Sequence, residues 1–259
     1  MRNLIATLLL VALPLNTTAA TPEEKGLSIV QEADRRDSGW IDSTAEMKMI
    51  LRNRQGQESA RSIRIETLEV DGDGDKSISV FNAPKDIKGT AFLSYTHALK
   101  PDDQWLYLPA LKRVKRIASA NKSGPFVGSE FAYEDLTSQE VAKYTYKWLR
   151  DETIDGREAF VIEAYPVYEN SGYTRQVVWL DKERYRPLKI DYYDRKNAPL
   201  KTLVASDWQQ YLDQYWRPGH MNMVNHQTGK STELLWSNYQ FKVGLTERDF
   251  DRNTLKRKR

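Results

Sequence analysis

From Trp40 to Phe241 the apolar and polar positions mostly alternate with a period of two, as strands with one buried face require. Met47, Met49 and Leu51 alternate with Lys48 and Arg52, and the turn residues 53–56 follow. In residues 61–70 Ile63 and Ile65 share one parity while Leu68 and Val70 take the other, which predicts a bulge or strong twist. Further strands are expected at 76–81, 90–95, 104–108 and 112–117. After a break they resume at 144–151, 157–165, 175–181, 187–193, 201–208, 221–225 and 231–241.

Two stretches depart from that period. Residues 22–37 read as a helix, with Thr21 as its cap, Pro22, Glu23 and Glu24 in its first turn, and Leu27, Val30 and Ala33 as its apolar stripe. The acidic stretch 129–141, with Phe131, Leu136 and Val141 apolar, reads as a second helical piece. The expected fold is therefore mainly β with a few helices. It is one strongly curved antiparallel sheet of about ten to twelve strands, covered by helices, since strands and helices do not alternate as in a parallel sheet.

Residues 1–20 carry Arg2, an apolar run from Leu4 to Leu15 and small residues before a cleavage site after Ala20, as a signal peptide does. Residues 21–259 are then expected to form a single domain. The chain has no cysteine, so an exported protein here would do without disulfides, which fits a Gram-negative periplasm. A formal net charge of +3 leaves only local clusters to interpret.

Motifs for chemistry fail on inspection. Asp71 to Asp75 imitates a calcium loop, but Lys76 and Asn82 stand where glycine and glutamate are needed, so a hairpin turn is expected. Gly229-Lys230-Ser231 resembles the end of a phosphate loop whose first glycine would be Val224. His220 and His226 have neither cysteine nor a sequence-adjacent acid to complete a metal site. No cofactor, metal or catalytic residue is expected, and hydrolysis stays a minor alternative.

What remains is surface and aromatic load. Lys112, Arg113, Lys115 and Arg116 form a basic strand that reads either as a solvated face or as a contact with anionic membrane or an acidic partner. Phe126 and Val127, between Gly124 and Gly128, form an apolar loop tip suited to membrane or partner contact, or equally to burial. The chain holds 7 Trp, 14 Tyr and 7 Phe. Trp105, Tyr107, Trp148, Trp179, Trp208 and Trp236 are candidates to line an apolar cavity on the sheet's concave face. Ordinary core is the alternative for each. Nucleic acid is not an expected partner.

The runs KGTAFLSYTH, DDQWLYLPALKRVKRI and SGPFVGSEFAYEDL resemble the LolA-like family of periplasmic outer-membrane lipoprotein-sorting proteins. Later segments, including YTYKWLRDETIDGREAFVIEAYP, do so as well. The resemblance implies an incomplete β-barrel with helices plugging its open side and a cavity for acyl chains. It implies a periplasmic carrier that binds a lipid, lipoprotein acyl chain or other hydrophobic ligand in that cavity for transport toward the outer membrane. Membership in a branch associated with inner-membrane exporters of the RND or MMPL type implies an alternative: an accessory that docks on such an exporter and carries nothing. This chain ends in a basic tail where the dedicated carrier has a structured extension.

Overall fold

The computed structural model describes residues 20–258, so all of the expected signal peptide except Ala20 lies outside the described residues. Helix α1 (Pro22–Asp37) starts at a reciprocal cap. Thr21 Oγ1 accepts from the Glu24 amide at 3.1 Å, and Glu24 Oε2 accepts from the Thr21 amide at 2.8 Å. Its buried stripe differs from the expected one. Gly26 and Ile29 are buried, Val30 and Ala33 half-buried, and Leu27 is exposed. Gly26 lies so close to the backbone of Trp148 that an added Cβ would come within 2.7 Å of its nitrogen.

Fifteen strands follow among the described residues: β1 (Asp42–Arg52), β2 (Glu58–Leu68), β3 (Lys76–Ala83), β4 (Ala91–Tyr95), β5 (Asp103–Leu108), β6 (Arg113–Ile117), β7 (Tyr144–Ile154), β8 (Arg157–Pro166), β9 (Tyr173–Asp181), β10 (Pro187–Asp194), β11 (Pro199–Ser206), β12 (Gln209–Tyr211), β13 (Tyr215–Arg217), β14 (His220–Asn225) and β15 (Ser231–Phe241). Thirteen form one antiparallel sheet in the order β6-β5-β4-β3-β2-β1-β15-β14-β11-β10-β9-β8-β7, and β12 and β13 pair separately as a small hairpin. The sheet holds one strand more than the upper end of the expected ten to twelve, and residues 209–211 and 215–217 add a separate hairpin within the β11–β14 connection.

The sheet curls strongly. Eleven strand spacings separate β5 from β7, which would be about 50 Å in a flat sheet. Yet Lys143, at the entrance to β7, donates to Asp102, at the entrance to β5, at 2.6 Å. The sheet does not close, and β6 and β7 remain its two edges.

Pairing register sorts the side chains between the two faces. Phe81, Ile63, Met47 and Trp236 lie side by side on the concave face, as do Leu203, Ile190, Val178, Ile162 and Trp148. α1 packs on the second row, against Ile162, Ala164 and Leu180. The rest of the concave face is covered by residues 118–143, which run from edge strand β6 to edge strand β7. The second helix expected within them is replaced by short 3-10 turns at Phe126–Gly128, Tyr133–Leu136 and Val141–Lys143. A helix offers one apolar stripe, whereas this segment sends side chains to facing walls of a curled sheet.

The convex face is apolar over β3 to β5. Leu68, Ile78, Val80, Ala91, Leu93 and Trp105 pack there beneath Phe250 and Leu255 of the C-terminal segment. The parity change expected in β2 is present, but the bulge expected with it is not: the register runs unbroken from Ile63 to Leu68 against both neighbours, and the one shift, against β3, lies earlier, between Ser62 and Ile63. Leu68 changes face because the other face is covered as well, with no bulge between. The C-terminal segment is accordingly a packed element. Tyr95 donates to the Phe250 carbonyl, and Lys76–Glu247 and Lys258–Glu66 are ion pairs.

Phe250 is fully buried, so Phe250→Ala is expected to cost about 3–5 kcal/mol in urea unfolding. A loss below about 1 kcal/mol would show that the tail is no part of the folded core.

Candidate functional site

The six aromatic residues expected to line one cavity divide between two faces. Trp148 and Trp236 are on the concave face. Trp105, Tyr107 and Trp179 are on the convex face, because their cross-strand neighbours are Leu93, Ala91 and Val161. Trp105 and Tyr107 pack under the C-terminal segment, and Lys189 Nζ stands 4.1 Å from the Trp179 ring. Trp208 lies beyond β11 beside the small hairpin and donates to the Ala205 carbonyl at 3.2 Å. The physical reason is the period of two: Trp105 and Leu106 are adjacent, so only Leu106 can face the concave core.

Phe126 is no membrane-facing tip. Its ring is 1% exposed, with centroids 5.8 Å from Phe81, 5.3 Å from Phe92 and 5.5 Å from Tyr133. Val127 is half-buried against the same cluster, and its carbonyl accepts from Arg61. Burying four such side chains, Phe126, Phe131, Tyr133 and Leu136, contributes about 1.5–3 kcal/mol each when complete.

Polar groups fix this segment in register. Lys201 Nζ donates to Asp135 Oδ2 at 2.6 Å and to the Glu130 carbonyl at 2.9 Å, and both side chains of the pair are 4% exposed. Tyr173 donates to Asp135 Oδ1 at 2.7 Å, and the Ala132 amide donates to Oδ2 at 2.6 Å. The Tyr173 and Tyr192 rings lie about 5 Å from the ammonium group, and burial pushes both phenols well above their usual range. Glu134 accepts from the Gly172 amide at 2.8 Å and from Ser171 at 3.0 Å. Burial, with Asp135 adjacent, raises its carboxyl.

The far end of the segment docks on the β2–β3 turn. There Ser138 accepts from the Asp75 amide, and Asp73 accepts from the Ala98 amide with His97 Nδ1 at 2.7 Å. Burial would raise Asp73, but the bonds from His97, Ala98 and Gly74 outweigh it and hold the group at about 2. Burial and then the Glu140 carboxylate push Asp75 up to about 7.

From Trp236 an aromatic ladder continues along β15. Trp236 and Tyr239 stack at 5.8 Å, and Tyr239 and Phe241 at 6.3 Å. Tyr211 of the small hairpin packs 5.3 Å from Tyr239. These four rings are half-buried, and Trp236 Nε1 is buried with no hydrogen-bond partner among the described residues. Two surface depressions of about 500 Å³ lie elsewhere. One is between Trp105 and Arg252 on the convex face, the other between Arg157 and Arg186, and neither is lined by the apolar residues of the concave face.

A family model carrying the description "uncharacterized protein" matches residues 73–257. A DUF1329 family protein from Desulfovibrio piger is 30% identical, with 91% of this chain and 100% of that one covered and a TM-score of 0.86. The chain belongs to the DUF1329 family. A domain from Vibrio parahaemolyticus assigned to outer membrane lipoprotein sorting is 59% identical, with 90% of this chain and 99% of that one covered and a TM-score of 0.89. A LolA superfamily protein from Nitrosomonas europaea shares the fold at 20% identity and a TM-score of 0.71, covering 91% of this chain and 99% of that one. No curated protein matches. This DUF1329 chain thus has a LolA-like fold: a single large antiparallel sheet, curled and open.

The basic residues of this DUF1329 protein sit on edge strand β6. Arg113 and Lys115 point to the concave side, opposite Leu108 and Leu106. Arg116 points to the convex side, opposite Trp105. Lys112 occupies the left-handed turn before the strand. The Asp135–Lys201 pair was not legible in the sequence, since 66 residues separate its members.

Removing one partner of that pair leaves a buried charge, so Lys201→Met is expected to cost about 3–5 kcal/mol. Lys201→Met combined with Asp135→Leu is expected to recover most of that loss in urea unfolding. For Asp75 the folded pKa lies above the unfolded one. Its contribution is therefore fully present at low pH and is lost as pH rises toward about 7. Asp75→Asn should accordingly raise the thermal midpoint more at pH 8 than at pH 5; an equal shift at both would contradict it.

Proposed function

We propose that this protein is a non-enzymatic periplasmic carrier of a hydrophobic ligand, a lipid or a lipoprotein acyl chain, held on the concave face beneath residues 118–143. The observation that supports this most is that face itself. Met47, Met49, Ile63, Phe92, Met223 and Leu234 form a continuous apolar surface covered by a segment that adds no strand to the sheet. Such a cover can lift while every ladder hydrogen bond stays made. The likeness to a lipoprotein-sorting domain and the expected signal peptide support the same reading and an exported, periplasmic location.

The energetics set the requirement. Exposing about fifteen methylenes to water costs on the order of 12 kcal/mol, at roughly 0.8 kcal/mol per CH₂. A ligand displacing Phe126 and Tyr133 from the face can offset their loss. The half-buried ladder of Trp236, Tyr239 and Phe241 is the place where a chain would begin to slide under the cover. The Trp236 indole N–H would serve a ligand oxygen there.

A second reading is favoured by one observation: the face is filled by the protein's own side chains. In that reading the protein docks on an inner-membrane exporter of the RND or MMPL type and carries nothing. Photolabelling with a diazirine-bearing sixteen-carbon fatty acid separates the two. The carrier reading expects saturable labelling of peptides containing Met221, Met223 or Trp236, and none at Trp105, Tyr107 or Trp179. Labelling that does not saturate, or that falls on the convex face, would reject it in favour of the accessory.

A further inference from the structure

The two edges of the sheet are built differently. β7 carries a bulge between Trp148 and Arg150, and α1 packs against it. β6 pairs with β5 in unbroken register from Arg113 to Ile117, and no strand adjoins its other side. Among the described residues, no backbone hydrogen bond joins residues 113–117 to anything but β5. The turn at Leu255–Arg257 approaches β6 but makes no hydrogen bond to residues 113–117, so the outward N–H and C=O groups of β6 are free to template a further strand.

Charge decides which strand. A second copy pairing β6 to β6 would set like charges opposite one another, which is unfavourable. Arg116 is already paired with Asp103. Lys112, Arg113 and Lys115 are exposed and have no carboxylate within 4.0 Å among the described residues. Val114, between the last two, is 38% exposed and lies on the convex side beside Tyr107. An added strand would meet cations at alternate positions on the concave side and an apolar side chain between them on the convex side, because directly opposed residues share a face.

We propose that β6 is a docking edge for an extended acidic segment of another protein. The segment adds as a fourteenth strand of the sheet, with acidic side chains opposite Arg113 and Lys115 and an apolar one opposite Val114. Main-chain bonds supply the affinity and the alternation supplies the choice of partner. The proposal stands apart from what the concave face carries.

The test uses the full mature chain and a labelled, end-capped heptapeptide of alternating glutamate and valine. Its control has a proline in place of the central valine, which removes a ladder donor. Anisotropy should show the first peptide binding at least tenfold tighter than the control. Amide exchange should slow within residues 113–117 and not along β7. Arg113→Glu together with Lys115→Glu, checked for an unchanged near-ultraviolet spectrum, should weaken binding at least tenfold and favour a lysine–valine peptide instead. Equal binding of the proline control, protection elsewhere, or no binding would overturn the proposal. So would phosphatidylglycerol vesicles binding through the same residues when neither peptide does, since that outcome assigns the charges to a membrane.

Discussion

A sheet of thirteen strands has two faces to keep from water, and in this chain the concave face is apolar over most of its extent and the convex face at its two ends, with Lys48, Arg64, Glu233, Asn222 and Asp191 between them. One helix of sixteen residues cannot cover that area. The remaining cover comes from irregular chain: residues 118–143 on the concave side and the C-terminal segment around Phe250 and Leu255 on the convex side. Curling is part of the same solution. It brings Asp102 to Lys143 across the mouth of the sheet and lets one segment touch β3, β4, β9 and β11 together.

Irregular chain inside a fold must satisfy its own backbone and charges, because no ladder does so. Here the sheet supplies the partners. Asp135 meets Lys201 and Tyr173, Glu130 meets Thr232 and Asn225, and Glu134 meets Gly172. Buried ion pairs contribute less to stability than to register, and register is what a cover needs. It can be held in one place by a handful of directional bonds and released when they break together. Fully buried side chains anchor both covers, Phe126 on the concave side and Phe250 and Leu255 on the convex side.

The strand pattern, the antiparallel class and the first helix were legible because periodicity is local. The face assigned to each aromatic residue was not. Trp105 and Tyr107 looked like cavity residues for their size, but parity with buried Leu106 excludes them, and that signal was present in the alternation itself. The change of apolar parity at Leu68 marks a covered patch on the convex face, and not a bulge. Phe250 and Leu255 stand alone in a charged tail, and isolated apolar residues there were the sign of a docked segment. Residues 129–141 carry helix-like spacing, yet their contacts lie tens to a hundred residues away, where no window of sequence reaches. The basic strand is legible as a strand in the sequence; its place at the edge of the sheet follows only from topology.

The account turns on whether residues 118–143 are a cover that a ligand displaces. Hydrogen exchange measured with and without a bound sixteen-carbon fatty acid tests this directly. The account expects the amides of 126–136 to lose protection on loading while β1, β2 and β15 keep theirs. Unchanged protection of 126–136 in the loaded protein would contradict it.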